Sequence, residues 1–337
     1  MIRLAINGFG RIGRSAFKLA LEKYSDQIEI VAVNDLASPE VLAHLLKHDS
    51  AYGTWSRQVT SNANAIIVDQ KPYAVCQEKE PAKLPWKDLN VDVVIESTGR
   101  FTDKEGAGAH LLAGAKKVVI SAPAKGEEIP TLVLGVNADE YQGEAIVNNA
   151  SCTTNCISPV VKVINNKFGV LKAAMTTIHA YTHDQNLQDG PHKDLRRARA
   201  AAFNMVPTST GAAKATTEAI PALKGLFDGM SIRVPVIVGS ISDITFLLKK
   251  KVTIEEVNSA LQQAAEGELK NIMAVTNEPI VSADIVGRSE SAIVDLGLTQ
   301  VIDGDLVKVF AWYDNEYGYA NRLVEEVIMV GKSRSSL

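Results

Sequence analysis

The sequence predicts an α/β protein: a doubly wound parallel sheet first, then an α+β domain with a mixed or antiparallel sheet. Three observations carry that expectation. Over the first half, short Val- and Ile-rich runs alternate with helical stretches. Beyond residue 150 the runs lengthen and alternate polar with apolar side chains. A chain of 337 residues, 46% hydrophobic and 22% charged, has the length and composition of two globular domains.

Taken in order, Ile2 to Ile6, Ile28 to Val33, Val91 to Glu96 and Val118 to Ser121 read as strands, mostly with a helix before the next. Nearly continuous apolar runs fit strands covered on both faces, and Phe17, Leu19, Ala20 and Leu21 fit a helix between the first two. In the second half Ala173 to His179, Ser242 to Lys249 and Val307 to Trp312 read as strands. Thr253-Ile254-Glu255-Glu256 has the spacing of a capping box and opens a helix with Val257, Leu261 and Ala264 on one face. Leu323, Val324, Val327 and Ile328 form a last helical stripe. The expected division is residues 1–150 and 151–314, with a C-terminal helix over 315–337 returning to the first domain. No repeat or long linker interrupts the chain, so short connections should hold the domains around one cleft.

Composition narrows the function classes. A net charge of −4 argues against nucleic-acid binding by bulk electrostatics, so no dedicated nucleic-acid site is expected. The basic run from His192 to Arg199 reads as a solvated, ion-paired segment. No apolar run approaches the roughly 20 residues of a membrane span, and Met1 to Ile6 lacks a signal-peptide layout, so a cytoplasmic protein is expected. Three cysteines make neither a disulfide framework nor, with the histidines, a four-ligand zinc site, and no metal is expected.

Gly8-Phe9-Gly10-Arg11-Ile12-Gly13 follows a strand and opens a helix, the setting a dinucleotide fingerprint requires. The glycines allow a tight turn and close approach to a pyrophosphate, which then meets the free amides of Arg11 and Ile12 at the positive end of the helix. Asp35 ends the second strand 22 residues beyond Gly13, close to the spacing of a carboxylate that takes both adenosine ribose hydroxyls. That carboxylate would repel a 2′-phosphate, so NAD is expected over NADP.

Ala150-Ser151-Cys152-Thr153-Thr154-Asn155-Cys156 opens another helical run, with Cys152 in its first turn. Free amides there, and a nearby imidazole, would favour a nucleophilic thiolate; the alternative is a packed core cysteine. Cys156 reads as a small buried apolar residue, and Cys76 has no reactive context. His179 ends a strand where it can face a cleft, but His44, His48, His110, His183 and His192 compete for the role of base, and pattern does not choose among them.

Across essentially its whole length the sequence resembles the phosphorylating glyceraldehyde-3-phosphate dehydrogenases. The residues that carry the resemblance are Ile6 to Arg14, Asn149 to Cys156, His179-Ala180-Tyr181-Thr182, Pro207 to Ala213, and Trp312-Tyr313-Asp314-Asn315-Glu316. It implies a Rossmann-type NAD domain and a catalytic domain in which Cys152 attacks the aldehyde and His179 is base, then acid. It implies Ser151, Thr153, Arg197, Thr210 and Gly211 around the attacking inorganic phosphate, and Thr182 and Arg233 near the phosphate of D-glyceraldehyde 3-phosphate. Lys79 and Ser121 would line the adenine and ribose side of the cofactor, and Asn315 would orient the nicotinamide. Lys79 also reads simply as a solvated charge. The resemblance further implies a homotetramer in which the segment around 180–205 packs near another subunit's cofactor.

His183 and Tyr317 stand where many relatives have Asn and Trp, and neither position carries an assigned role. The rival within enzymes is an erythrose 4-phosphate dehydrogenase. Thr182 with Thr208-Ser209-Thr210-Gly211 keeps the phosphorolytic pattern instead. A catalytically idle binding protein is the rival from another class, and the presence of both Cys152 and His179 argues against it.

Overall fold

The computed structural model describes residues 1–126 and 128–333 and divides into two compact units. The first takes in Met1–Leu132, Glu140–Ala150 and the chain from Ala320; the second takes in Val133–Asp139 and Ser151–Tyr319.

The first unit runs β1 (Ile2–Asn7), α1 (Arg11–Lys23), β2 (Ile28–Asn34), α2 (Pro39–Lys47), β3 (His48–Asp49), β4 (Gly53–Thr54), β5 (Val59–Asn62), β6 (Ala65–Val68), β7 (Lys71–Cys76), β8 (Val93–Glu96), α3 (Lys104–Leu112), β9 (Lys117–Ile120) and β10 (Ile146–Asn148). Its eight-stranded sheet has the order β10-β9-β8-β1-β2-β7-β6-β5, parallel from β10 to β7. β1 lies between β2 and β8, so the winding reverses there and opens a crevice at the carboxyl ends of the strands. All four expected strands are present. The antiparallel edge β5-β6-β7 was not foreseen, because β5 is polar (VTSN), β7 carries Pro72, and the β6–β7 turn is made by Asp69 and Gln70 at positive φ without a glycine to mark it.

The second unit contains α4 (Cys152–Phe168), β11 (Val170–Ala180), β12 (Val206–Ser209), α5 (Ala212–Ala219), β13 (Phe227–Val234), β14 (Ser240–Leu248), α6 (Ile254–Glu266), β15 (Met273–Thr276), β16 (Ala292–Asp295), β17 (Gln300–Ile302) and β18 (Leu306–Tyr313). The mixed sheet runs β12-β13-β11-β14-β18-β16-β15, with β17 on β18. Strands β14 and β18 alternate strictly. Ile244, Phe246, Val307, Val309 and Ala311 join Val160, Ile164, Val257 and Leu261 of the helices in one core. Ile241, Leu247, Phe310 and Trp312 occupy the other face and stay half-buried. The predicted capping box is formed: the Thr253 hydroxyl accepts from Glu256 N, and the Glu256 carboxylate accepts from Thr253 N.

The last helix, α7 (Tyr317–Lys332), starts two residues later than expected because Asp314 accepts from the amides of Glu316 and Tyr317 and turns the chain first. Its residues Leu323, Val324 and Val327 are fully buried, and a Cβ at Gly331 would come within 2.7 Å of Ile2. Residues 334–337 of the expected helix lie outside the described residues. Among the described residues no helix is long and apolar enough to cross a membrane.

Candidate active site

In the first unit the fingerprint is a backbone construction. Gly8 has φ +93°, and a Cβ there would stand 2.6 Å from the Ser97 carbonyl carbon and the Thr98 nitrogen. At Gly13 a Cβ would fall 2.1 Å from the Gly8 oxygen. These two glycines are required by the turn and by helix-on-strand packing. A Cβ at Gly10 would meet nothing within 4 Å, and α1 begins at Gly10 without a side-chain cap. Open space before uncapped helix amides is what a bound pyrophosphate needs, so these residues fit the dinucleotide.

Around this turn, Arg11 is drawn aside to Asp49 (2.8 Å) and lies over the Tyr52 ring, leaving its amide and that of Ile12 at the helix start. The Asp35 carboxylate accepts from Phe9 N at 2.8 Å and from Ala37 N at 3.1 Å, which places it beside the fingerprint. Ser121 follows β9, its amide donating to the Glu96 carbonyl. Lys79 is exposed, next to Glu78, whose backbone N and O are both bonded by the Asn34 side chain at the end of β2.

In the second unit Cys152 opens α4, and Ser151 caps it, its Oγ accepting from Thr154 N at 3.0 Å. Ala150, at φ +52°, makes the preceding turn. Cys152 Sγ lies 3.4 Å from Nε2 of His179, which β11 supplies. Nδ1 of His179 donates to the Ala180 carbonyl at 2.6 Å, so Nε2 is the nitrogen free to accept the thiol proton.

Electrostatics here differs from the sequence expectation of an acidic thiol. Burial pushes the Cys152 thiol up; Arg233, the Thr153 hydroxyl and the amides of Thr153 and Cys152 pull it down without overcoming that effect. Although Cys152 keeps some exposed surface, the dense packing around its sulfur decides the direction. His179 is lowered to about 3, by burial first and by Arg233 next, against the Ala180 bond and Asp184. Burial thus favours the uncharged form of each partner, the thiol of Cys152 and the neutral imidazole of His179.

Beside this pair runs a chain of linked hydroxyls and guanidinium groups. Arg233, paired in register with His179, donates from Nη1 to Thr182 Oγ1 at 2.7 Å, and its buried Nε has no hydrogen-bond partner among the described residues. Thr182 donates to Asp184, which also receives Arg197 Nη1. Arg197 donates to Thr208 Oγ1 at 2.9 Å and to the Ser209 carbonyl at 3.2 Å, anchoring it on β12. Thr210 Oγ1 accepts from Ala212 N at 3.2 Å, and Gly211 is the N-cap residue of α5, three residues after Thr208 on Arg197's anchor strand. Asn315 is buried, and its Oδ1 accepts from Gly239 N and Ser240 Oγ, both at 3.0 Å, which turns its NH2 into the available donor.

The Thr153 hydroxyl is buried at 2.8 Å from the Tyr313 hydroxyl, which also meets Thr177. Its hydroxyl and its amide both face the Cys152 sulfur. Sequence reasoning missed Asp184 and Tyr313. Asp184, two residues after Thr182, bridges to Arg197. The Tyr313 ring stands edge-on to His179 at 6.0 Å. The alternation of β18 turns Tyr313 to the buried face, but no local pattern shows which histidine it meets.

Two family models match the chain: "Glyceraldehyde 3-phosphate dehydrogenase, NAD binding domain" over residues 2–104 and "Glyceraldehyde 3-phosphate dehydrogenase, C-terminal domain" over residues 151–315. The chain is 54% identical over 332 residues to glyceraldehyde-3-phosphate dehydrogenase 2 of Streptomyces avermitilis, covering 98% of each chain. It is 56% identical over 339 residues to the glyceraldehyde-3-phosphate dehydrogenase of Mycolicibacterium smegmatis, covering 98% of this chain and 99% of the relative. It is 53% identical over 326 residues to that of Geobacillus stearothermophilus, covering 96% of each.

Proposed function

The chain belongs to the glyceraldehyde-3-phosphate dehydrogenase family, and on that premise we propose how its residues carry out the NAD-dependent, phosphorylating oxidation of D-glyceraldehyde 3-phosphate to 1,3-bisphosphoglycerate. The observation that carries the reading is the 3.4 Å approach of Cys152 Sγ to a His179 Nε2 whose other nitrogen is committed to a carbonyl. The cofactor is NAD.

As Cys152 attacks the aldehyde carbon, a C–S bond forms and the thiol proton passes to His179 Nε2. The Cys152 amide and His179 hold the hemithioacetal oxygen. NAD, when bound, supplies the acceptor for the hydride that leaves this carbon. Collapse of the oxyanion gives a Cys152 thioester. An inorganic phosphate oxygen then attacks the acyl carbon, its proton passing to solvent; the C–S bond breaks, His179 returns its proton to the Cys152 sulfur, and the acyl phosphate departs. Thr182 and Arg233 hold the substrate phosphate, while Ser151, the Thr153 amide, Arg197, Thr210 and Gly211 hold the attacking phosphate as charge-assisted and hydroxyl contacts. Gly8, Gly10, Arg11, Ile12, Gly13, Asp35, Lys79, Ser121 and Asn315 bind and orient the cofactor. Residues 1–150 with the C-terminal helix serve as the NAD domain and 151–314 as the catalytic domain.

The half-buried apolar sheet face of Ile241, Leu247, Phe310 and Trp312, with Leu195 and Phe203 more than four-fifths exposed, supports a homotetramer, which light scattering would measure directly. Three free thiols support a reducing, cytoplasmic setting. Erythrose 4-phosphate is not the favoured substrate, since the relatives compared bear the glyceraldehyde-3-phosphate name. The test is cofactor reduction with each of the two sugars, with and without phosphate or arsenate. Reduction should favour glyceraldehyde 3-phosphate and require the anion; equal turnover without it would refute phosphorolysis.

A further inference from the structure

A buried polar row lies directly beneath the fingerprint and takes no part in the chemistry above. Asn34, Asn7 and Glu96 are the last residues of β2, β1 and β8 and face one another in register across the sheet. All are at least 95% buried, as are His110 on α3 and Trp86 in the loop before β8. Asn34 Nδ2 donates to Asn7 Oδ1 at 2.7 Å, and Asn7 Nδ2 donates to Glu96 Oε2 at 2.5 Å. Trp86 Nε1 can only donate, and it gives its hydrogen to His110 Nδ1 at 2.9 Å. The His110 proton therefore sits on Nε2, 3.1 Å from the same Glu96 Oε2. The other oxygen, Oε1, accepts from Thr98 N at 2.8 Å and from the Thr98 hydroxyl. Glu96 thus has four donors, and its two oxygens tie different elements together.

The consequence reaches the cofactor turn through one residue. By holding Thr98, Glu96 fixes the Ser97–Thr98 backbone, the wall a Cβ at Gly8 would strike; Ser97 Oγ then donates to the Gly8 carbonyl at 2.7 Å. On the other side, the Asn34 side chain clasps Glu78 immediately before Asp35 continues the chain. A parallel sheet normally carries Val or Ile at such positions, and a buried carboxylate with every oxygen satisfied is costly to build for packing alone.

We propose that Glu96, His110 and Trp86 are positioning residues for the dinucleotide site: the chain from Trp86 through His110 to Glu96, joined by Asn7 and Asn34, sets the strand ends that carry Gly8 and Asp35. The proposal rests on the NAD reading above. Glu96→Gln keeps the shape but turns an NH2 toward existing donors. It should raise KM for NAD about 10- to 100-fold, the scale of hydrogen bonds to a buried charge. It should leave kcat at saturating NAD, KM for glyceraldehyde 3-phosphate and the rate of Cys152 alkylation by iodoacetamide within about 2-fold. Trp86→Phe, which only releases the His110 tautomer, should show the same split at about 3-fold and decides the matter if the Glu96 variant does not fold. Unchanged KM for NAD in these variants, or equal losses in all four quantities, would overturn the positioning role alone. A wild-type protein that failed to bind NAD would overturn the functional reading with it.

Discussion

The two sites are made of different material. The fingerprint turn of the first unit is built from backbone: Gly8 and Gly13 stand where any Cβ would strike a neighbour, and the groups proposed to meet the pyrophosphate are amides. The reactive site of the second unit is built from side chains on α4, β11, β12 and β13, brought together by sheet register and by contacts such as Arg233 to Thr182 and Cys152 to His179. A backbone site fails all at once when its shape changes, whereas a side-chain site loses one chemical step at a time. That difference can be broken or sharpened by substitution.

The largest effect falls on the nucleophile. Cys152→Ala should abolish turnover while NAD binding, followed by fluorescence titration, stays within about 2-fold, because the thiol is no part of the backbone site. A fully active variant would refute the covalent route. His179→Asn should lower kcat by about 10²- to 10⁴-fold, the usual scale of general acid-base catalysis. With thiol raised and imidazole lowered, alkylation of Cys152 by iodoacetamide should accelerate as pH rises from 7 to 9, since thiolate accumulates toward the raised thiol pKa, and His179→Asn should slow it at pH 7. A rate flat across that range would mean an ion pair already formed at neutral pH.

A matched pair of glycine substitutions probes the other region. Gly13→Ala meets the Gly8 oxygen at 2.1 Å and should lose both NAD affinity and about 1–3 kcal/mol of stability. Gly10→Ala meets no protein atom and should lose NAD affinity with its melting temperature unchanged. If both melt alike, the space at Gly10 is not reserved for a ligand.

The same contrast explains what was legible in the sequence. Gly8, Gly10 and Gly13 are close in sequence, and Asp35 follows at a recognisable spacing and lies beside them through its bond to Phe9 N, so spacing alone pointed to a dinucleotide. Cys152 at a helix start was legible as a position, but its raised thiol was not, because the burial that decides the shift comes from elements distant in sequence. His179 stood among six histidines until the resemblance singled it out; its selection depends on β11 lying where α4 begins. Asp184 and the inward hydroxyl of Thr153 depend on side-chain directions that no local pattern encodes. The polar edge strand β5 lacks the apolar alternation that marks a strand, which is why the antiparallel margin of the first sheet went unseen.

Cys152 as a covalent acyl carrier relieved by phosphate is tested most directly by rapid mixing of the protein and NAD with glyceraldehyde 3-phosphate in phosphate-free buffer. A burst of NADH close to one per subunit, followed by a slow phase that phosphate restores to full rate, is the expected result. Steady, fast NADH production without phosphate, or no burst at all, would contradict it.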